Sequence, residues 1–428
     1  MSFGTNHSQQ ISLFDATANL TDREKRLLEK SWAKYFAENI FPEIDEAPFS
    51  VLYSDRPSRH NTPVNVIIGA LILKEIFGLT DEEIVDTLPF DIRYQYALHT
   101  TSFEEQPLND RTLGRFRARC NSYEEMTGID LIHDCIIKLS SSMATMMKLN
   151  TGMRRMDSLM AASNIKKMSR LELLYTCVAN LARLMKKLED STLPEGLLHY
   201  TEDNDHNSIT VDYQYEKNTY SDSQFLKDYI EQQPDDGAHA ILTTDGGYCG
   251  MENSLLAEEK NITLVTTDLK GSEVSDHWAD FEFNEDGTKL LRCAAGHEPK
   301  SSVYDKNTQK CKASFPLATC KNCPYHSQCH PKEYKRVATI KIAMRTVFHA
   351  RQQRFLKTED FKTLARFRNG VETVPAALRN RHHVDRMPVR GYIKTKLFFG
   401  FKVAGMNARK LIRYLTGLVK VATYPELI

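Results

Sequence analysis

The chain has 428 residues, of which 41% are hydrophobic and 26% charged, a composition typical of a globular protein with two or three domains. No apolar run approaches the roughly 18 residues that a membrane helix needs. The first residues lack the basic and apolar regions of a signal peptide, so we expect a cytoplasmic protein. Nine cysteines, an odd number clustered toward one region, argue against a secreted disulfide framework.

The net charge is zero, but positive and negative side chains are concentrated in different segments. Residues 331–428 contain 22 Lys and Arg against 6 Asp and Glu, whereas residues 201–286 contain 4 Lys against 21 Asp and Glu. A basic segment with interleaved aromatic residues is typical of nucleic-acid binding. The same pattern also fits a solvated basic face, or a surface that docks the acidic segment of this chain.

The first 150 residues predict a compact all-helical domain. One helix is expected over residues 21–40, and a second ends at Gly78 and has Thr62 as its candidate cap. Thr80 followed by Glu83 indicates a capping box at the start of the next helix.

A later helix of this domain is predicted to begin after Asn109 or Asp110, and it carries four arginines. Its composition resembles that of a DNA-facing helix, although a short basic helix is often merely solvated. We take Arg111 and Arg115 as its candidate DNA contacts.

After residue 150 the pattern changes to that of an α/β domain. Strands or a hairpin are expected around Asp157, and an amphipathic helix is expected after Ser169. A strand that ends before Asp245, a helix over residues 250–260 and a strand over residues 261–269 form a strand–helix–strand unit. Such a unit implies a parallel strand pair with a right-handed crossover, here within a mixed sheet flanked by helices.

Asp157 and Asp245 are the candidate functional residues of this sheet. Functional groups collect where the strands of open α/β sheets end, and the glycines after Asp245 let the backbone turn away there. Each aspartate alone also fits a turn or loop cap. Together with an acidic residue on a later basic helix, they could hold two divalent cations for phosphodiester chemistry, for which oxygen ligands suit Mg²⁺.

Several segments, taken in their order along the chain, resemble the DDE transposases of bacterial insertion sequences. They are TPVNVIIGALILKEIFGLTDEEIVDTLPFDIRYQYAL, RTLGRFRARC, MDSLMAASNIKKMSRLELLYTCV, TTDGGYCG and FRNGVETVPAALRNRHHVDRMPVRGYIKTKLFFGFKVAGMNARKL. The resemblance implies a helical N-terminal DNA-binding domain ahead of a ribonuclease-H-like α/β catalytic domain. It also implies Asp157, Asp245 and Glu372 as the catalytic triad, with Mg²⁺ or Mn²⁺ as the cofactor.

The resemblance implies cleavage of double-stranded DNA at terminal inverted repeats, followed by strand transfer into target DNA by a homodimer or larger assembly. Two alternatives stay open: a transposase-derived DNA-binding protein without catalysis, and a ribonuclease-H-like nuclease that cuts without joining. The expected segments are a helical N-terminal domain, a first catalytic part, a cysteine-rich insert, and a second catalytic part with basic helices. Their predicted bounds are 1–150, 151–289, 290–331 and 332–428.

The surroundings of Glu372 depart in part from a signature of related enzymes, Tyr-x₂-Arg-x₃-Glu-x₆-Lys. Arg368 and Glu372 match, whereas Ala365 replaces the Tyr and Arg379 replaces the Lys. Pro375, three residues after the glutamate, is expected to kink the helix or restart it. The predicted DNA contacts of the basic C-terminal segment are Arg368, Arg379, Arg381, Lys394, Lys396, Arg409 and Lys410.

The cysteine-rich insert predicts a structural zinc site. The spacing Cys320-x₂-Cys323 supplies two thiolates of a tetrahedral set, which Cys329 and either Cys311 or Cys293 would complete. Reduced, partly buried thiols are the alternative, and a redox pair is disfavoured because no thioredoxin-like context surrounds these cysteines.

Overall fold

The computed structural model describes residues 1–6, 15–54, 56, 59–103, 106–150, 152–159, 185, 208–234, 238–248, 250–266, 273–361, 364 and 373–417. The chain divides into two compact units. The first unit comprises Met1–Thr151, Leu159–Asn218 and Glu372–Ile428, and the second unit comprises Gly152–Ser158 and Thr219–Val371. None of the helices in these described ranges is long and apolar enough to cross a membrane.

The described part of the first 150 residues is helical, as predicted. Its α-helices are α1 (Asp22–Glu29), α2 (Trp32–Asn39), α3 (Val64–Phe77), α4 (Asp81–Thr87), α5 (Ile92–Ala97), α6 (Asp110–Thr127) and α7 (Leu131–Met146). The capping box at α4 is confirmed, because the Thr80 hydroxyl accepts the Glu83 N–H and the Glu83 carboxylate accepts the Thr80 N–H. Asn109 rather than Asp110 caps α6, where its side chain accepts the Thr112 N–H.

Two local predictions in this segment are wrong. The single helix expected over residues 21–40 is divided into α1 and α2, because the Ser31 hydroxyl accepts the Ala33 N–H and starts a new helix. Thr62 does not cap α3, because its hydroxyl donates to the Pro107 carbonyl instead. At both sites a hydrogen bond of a Ser or Thr side chain, which helical periodicity does not reveal, determines the local structure.

A three-stranded parallel sheet forms in the second unit. Its elements in chain order are β1 (Met153–Arg155), α8 (Asp222–Glu231), β2 (Ala240–Thr244), α9 (Met251–Glu259) and β3 (Ile262–Thr266). The strand order is β1-β2-β3, so β2, α9 and β3 confirm the predicted strand–helix–strand unit with a parallel pair. Around Asp157 the described residues contain β1 alone, and the helix predicted after Ser169 lies outside them.

The rest of the second unit is built on short antiparallel strands. They are β4 (Glu282–Phe283), β5 (Leu290–Arg292), β6 (Ser301–Asp305), β7 (Lys310–Pro316), β8 (Lys332–Glu333) and β9 (Val337–Ile342). Between β7 and β8 lie α10 (Leu317–Lys321) and α11 (His326–Cys329), and α12 (Met344–Leu356) follows β9. β4 pairs with β5, and the other strands form a sheet in the order β6-β7-β9-β8. The cysteine-rich insert therefore shares this sheet with residues beyond its predicted end at 331.

Two helices from the end of the chain belong to the first unit, namely α13 (Thr373–Asn380) and α14 (Tyr392–Leu415). α14 packs against α3 and α7 and is buried along most of its length. Pro375 lies in the first turn of α13, where a helix does not require the missing N–H. The segment from Thr373 onward thus contributes to the helical core of the first unit.

A buried ion pair joins α14 to α3. Lys402 Nζ lies 3.0 Å from Glu75 Oε2 and donates to the His382 carbonyl oxygen at 2.6 Å. The two charged side chains are only 8% and 9% exposed. Gly405 lies one turn further along α14, where an added Cβ would meet Glu75 Cβ at 2.6 Å. The pair and the close backbone approach together determine the register of α14 on α3.

Replacing Lys402 by Met is expected to lower the free energy of unfolding by about 3–5 kcal/mol, because Glu75 would stay buried without its counter-ion. Chemical denaturation followed by circular dichroism measures this change. The double variant Lys402→Met, Glu75→Leu is expected to recover most of the loss, since apolar side chains of similar volume need no partner. A double variant as unstable as the single one would contradict this account.

Candidate active site

Two of the predicted catalytic carboxylates lie just beyond the ends of neighbouring parallel strands. Asp157 comes two residues after β1, and Asp245 comes directly after β2. Arg155 is in register with Thr243, and past the end of β1 the Met156 N–H still donates to the Thr243 carbonyl at 3.0 Å. Because both strands run in the same direction, the two aspartates lie at the same edge of the sheet.

Both carboxylates are oriented by backbone N–H groups. Asp245 Oδ1 accepts the Gly247 N–H at 2.8 Å, and Asp157 Oδ1 accepts the Ser158 N–H at 2.9 Å. Asp157 is exposed and Asp245 is half-buried.

A third aspartate, Asp222, lies at the same edge without having been predicted. It is the first residue of α8, directly after the cap residue Ser221. A Cβ built on Gly247 would lie 3.0 Å from Asp222 Oδ2 and 3.1 Å from Asp245 Oδ1, so the glycine has both carboxylates against it. The only sequence signal for Asp222 is a helix start within an acidic segment, which does not distinguish it from its acidic neighbours.

Tyr248 lies in the negative field of this edge. Its side chain is fully buried, and burial followed by the charges of Asp222, Asp157 and Asp245 raises its pKa well above the usual value. Within the described ranges no three His, Cys, Asp or Glu side chains are grouped as ready metal ligands. Glu372, the third predicted carboxylate, lies outside the described residues.

Three of the predicted DNA contacts on α14 have partners within the first unit. Lys396 Nζ lies 2.9 Å from the carboxylates of both Glu124 and Asp130. Lys410 and Arg409 donate to backbone carbonyl groups at 2.9 Å and 3.3 Å. The packing of α14 explains why these cations have internal partners, because the charged group of a basic side chain near a core must be paired or hydrogen-bonded.

The other predicted basic residues of this segment differ in their surroundings. Arg381 and Lys394 are exposed. Arg379 Nε lies 3.6 Å from Asp385 Oδ2, and the arginine side chain is 35% exposed. Arg368 lies outside the described residues.

The four arginines of α6 divide into two pairs. Arg111 and Arg115 are exposed and lie one helical turn apart on the same face. Arg117 forms an ion pair with a carboxylate of α4, and the Arg119 guanidinium lies 4.8 Å from the ring centroid of Tyr53. The first pair faces solvent, and the second pair stabilises the packing of the first unit.

Comparison with known proteins identifies the family. Residues 25–119 match the family model "Transposase domain (DUF772)", and residues 292–412 match the model "Transposase DDE domain". Together the two matches cover about half of the chain. The chain belongs to the DDE transposases.

The matched segments of this transposase include Glu372 and the arginines of α6, whereas Asp157 and Asp245 lie between them. The family match and the strand-end geometry are therefore separate observations about the predicted triad. No curated protein and no solved structure matches the chain.

Replacing Gly247 by Ala is expected to slow DNA cleavage by on the order of tenfold or more, because the new Cβ would displace the carboxylate of Asp222 or Asp245. The rate of cleavage of element-end DNA measures the effect. Gly250→Ala is the matched control, because a Cβ there would meet only Ser223 Oγ at 4.0 Å. Equal rates for the two variants would show that the position of these carboxylates does not limit cleavage.

Proposed function

We propose that this transposase cuts DNA at the ends of an insertion sequence and joins the liberated 3′ ends to target DNA. Asp157, Asp245 and Glu372 are its proposed catalytic carboxylates. The observation that carries the proposal is the pair of aspartates oriented by backbone N–H groups at one edge of the parallel sheet. The match of residues 292–412 to a transposase DDE domain supports Glu372 as the third member. We further propose that two copies act together, one on each element end.

The two described aspartates suit a divalent cation that prefers oxygen ligands. They are anionic oxygen donors at an accessible edge, and Asp222 adds a further negative charge beside them. We propose that Asp157, Asp245 and Glu372 hold Mg²⁺ or Mn²⁺. Bound there, the ion would stabilise negative charge on the reacting phosphate and lower the pKa of a bound water.

The contribution of the protein's own groups is preorganisation. The N–H groups of Gly247 and Ser158 each hold one oxygen of an aspartate before DNA binds. Little reorganisation of these carboxylates is then needed when an in-line displacement at phosphorus begins. Gly247 favours this arrangement, because an added Cβ would lie only 3.0–3.1 Å from a carboxylate oxygen of Asp222 and of Asp245 and would push against both.

Positive charge for the DNA backbone is proposed to come from α13, from the start of α14 and from the segment joining them. Arg381 and Lys394 are exposed there, and Arg379 can grip a phosphate through two N–H groups. Arg368 is proposed as a further phosphate contact on the resemblance alone. The three internally bound cations of α14 are not part of this proposal, because their charged groups already have partners in the first unit.

Arg111 and Arg115 are the proposed contacts to the element ends. Gly114 and Ala118 are also exposed on α6, and such small side chains allow DNA to approach the helix closely. The remainder of the helix is anchored in the first unit through Leu113 and other buried residues. A rigid helix with two solvent-facing arginines suits contacts with phosphates and base edges.

Replacing Glu372 by Gln or Asp245 by Asn is expected to abolish cleavage in Mg²⁺ and to leave binding of element ends within a few-fold of the parent protein. Removal of one carboxylate takes away a cation ligand without removing the DNA-binding arginines. Gel electrophoresis of end-labelled DNA measures cleavage, and filter binding measures affinity. Asp360→Asn is the matched control, because this acid precedes Glu372 but does not align with the resembling glutamate position.

Cleavage that survives in the Glu372→Gln variant would exclude this glutamate from the site. Products that are cut but never joined to a second DNA would indicate a nuclease rather than a transferring enzyme. A parent protein that binds element ends without cutting them in Mg²⁺ or Mn²⁺ would indicate a DNA-binding protein without catalysis.

The double variant Arg111→Ala, Arg115→Ala is expected to bind element ends more weakly and with a smaller salt dependence. If each arginine neutralises one phosphate, the slope of log K against log salt should fall by about 1.8 in magnitude. Titrations at several salt concentrations measure the slope. Lys138→Ala, which removes an exposed cation from α7, is the control, and an unchanged slope in the double variant would exclude α6 from the DNA interface.

A further inference from the structure

Four cysteines, three of them within residues 320–329 and the fourth at position 293, line a single cavity in the second unit. Cys293 directly follows β5, Cys320 lies in α10, Cys323 lies just after α10, and Cys329 ends α11. The cavity has a volume of about 30 Å³ and is otherwise bounded mainly by apolar groups of the same unit, including Phe315. Three separate chain segments thus bring their thiols to one place.

The four thiols are close enough to influence one another's ionisation. Burial, followed by the charges of Cys323, Cys293 and Cys320, raises the pKa of Cys329 to about 12. Burial likewise raises the pKa of Cys320, and Cys293 and Cys323 again add to it. All four are free thiols, so their proximity does not reflect a disulfide.

Tight backbone turns present these thiols. The Gly296 N–H donates to the Cys293 carbonyl at 2.8 Å, and Gly296 has a positive φ of 79°, which closes a short loop. The Cys323 N–H donates to the Cys320 carbonyl at 3.2 Å, so these two side chains emerge from one turn. Turns of this kind orient paired cysteines toward a common ligand.

Cys311, the first candidate for the fourth ligand with Cys293 as its alternative, lies elsewhere. Its side chain is buried in β7, where Sγ donates to the Gly287 carbonyl at 3.8 Å, and it does not line the cavity. His326 lines the cavity, but its Nε2 lies 3.0 Å from Glu333 Oε1 and is thus engaged. The structure therefore selects Cys293 over Cys311.

We propose that Cys293, Cys320, Cys323 and Cys329 bind one Zn²⁺ as a closed structural site. Four thiolates drawn from one cavity could satisfy the tetrahedral preference of Zn²⁺, and four protein ligands leave no open position for catalysis. In the described ranges the thiols are not yet grouped at ligand distances, so binding would turn the side chains inward. Each of the four thiols would release its proton to solvent, and each resulting thiolate would form one Zn–S bond.

The proposed site would stabilise a region with a small apolar core. Zn²⁺ would tie the loop after β5 to α10 and α11, next to the cluster that includes Phe281, Leu290 and Phe315. A small apolar cluster provides only part of the folding free energy of such a region, and a metal cross-link would add to it. This proposal is independent of the catalytic carboxylates, and either can fail without the other.

The test is the zinc content of the full chain purified without added metal. We expect about one zinc per chain for the parent and for Cys311→Ser, and under about a tenth of an equivalent for Cys293→Ser and Cys323→Ser. A parent chain with under about a tenth of an equivalent would overturn the proposal. Equal zinc loss in Cys311→Ser and Cys293→Ser would overturn the ligand set.

Titration of the parent chain with Co²⁺ is a second test, and it does not depend on variants that could fold poorly. The parent chain is stripped of metal with a chelator under reducing conditions and titrated with Co²⁺. Four thiolate ligands in a tetrahedron are expected to produce strong visible absorption that saturates at about one Co²⁺ per chain and is displaced by Zn²⁺. Absence of this absorption, or a disulfide between these cysteines under the same conditions, would overturn the proposal.

Discussion

The parallel pairing of β1 with β2 is the constraint on which the proposed active site depends. A carboxylate that follows each strand reaches the same edge only because the strands run in the same direction, and antiparallel pairing would place the two groups at opposite edges. Gly247 then lets the backbone lie against both Asp245 and Asp222. The site combines a general property of parallel sheets with one position, Gly247, at which a side chain would crowd two carboxylates.

The C-terminal helix α14 shows why charge composition alone does not identify surface cations. Its basic and aromatic pattern is typical of a nucleic-acid surface, yet Lys396 and Lys402 bind carboxylates of the first unit and the intervening aromatic residues are buried. A lysine in a packed helix requires an internal partner, because an unpaired buried charge is strongly destabilising. Exposed cations lie before α14 and at its start, among them Arg381 and Lys394.

The antiparallel part of the second unit resolves an ambiguity that cysteine spacing leaves open. Cys293 and Cys311 are both plausible by spacing, but β7 buries Cys311 in its own sheet, whereas the loop after β5 carries Cys293 to the other three thiols. Pairing of β7 with β9 extends this sheet past the end of the cysteine-rich insert. Strand pairing thus decides which cysteines line the cavity, and it extends the sheet of the cysteine-rich insert beyond residue 331.

The sequence by itself determined the features that depend on neighbours a few residues away. These include the capping box at Thr80, the strand that ends at Asp245, and the helical character of the first 150 residues, since caps and periodicity are local signals. Only the tertiary structure decided that Asp222 lies against Gly247, that Lys396 is internal, and that residues from Thr373 onward join the first unit. The physical reason is that contacts between remote segments arise from packing, which leaves no periodic pattern in a single chain.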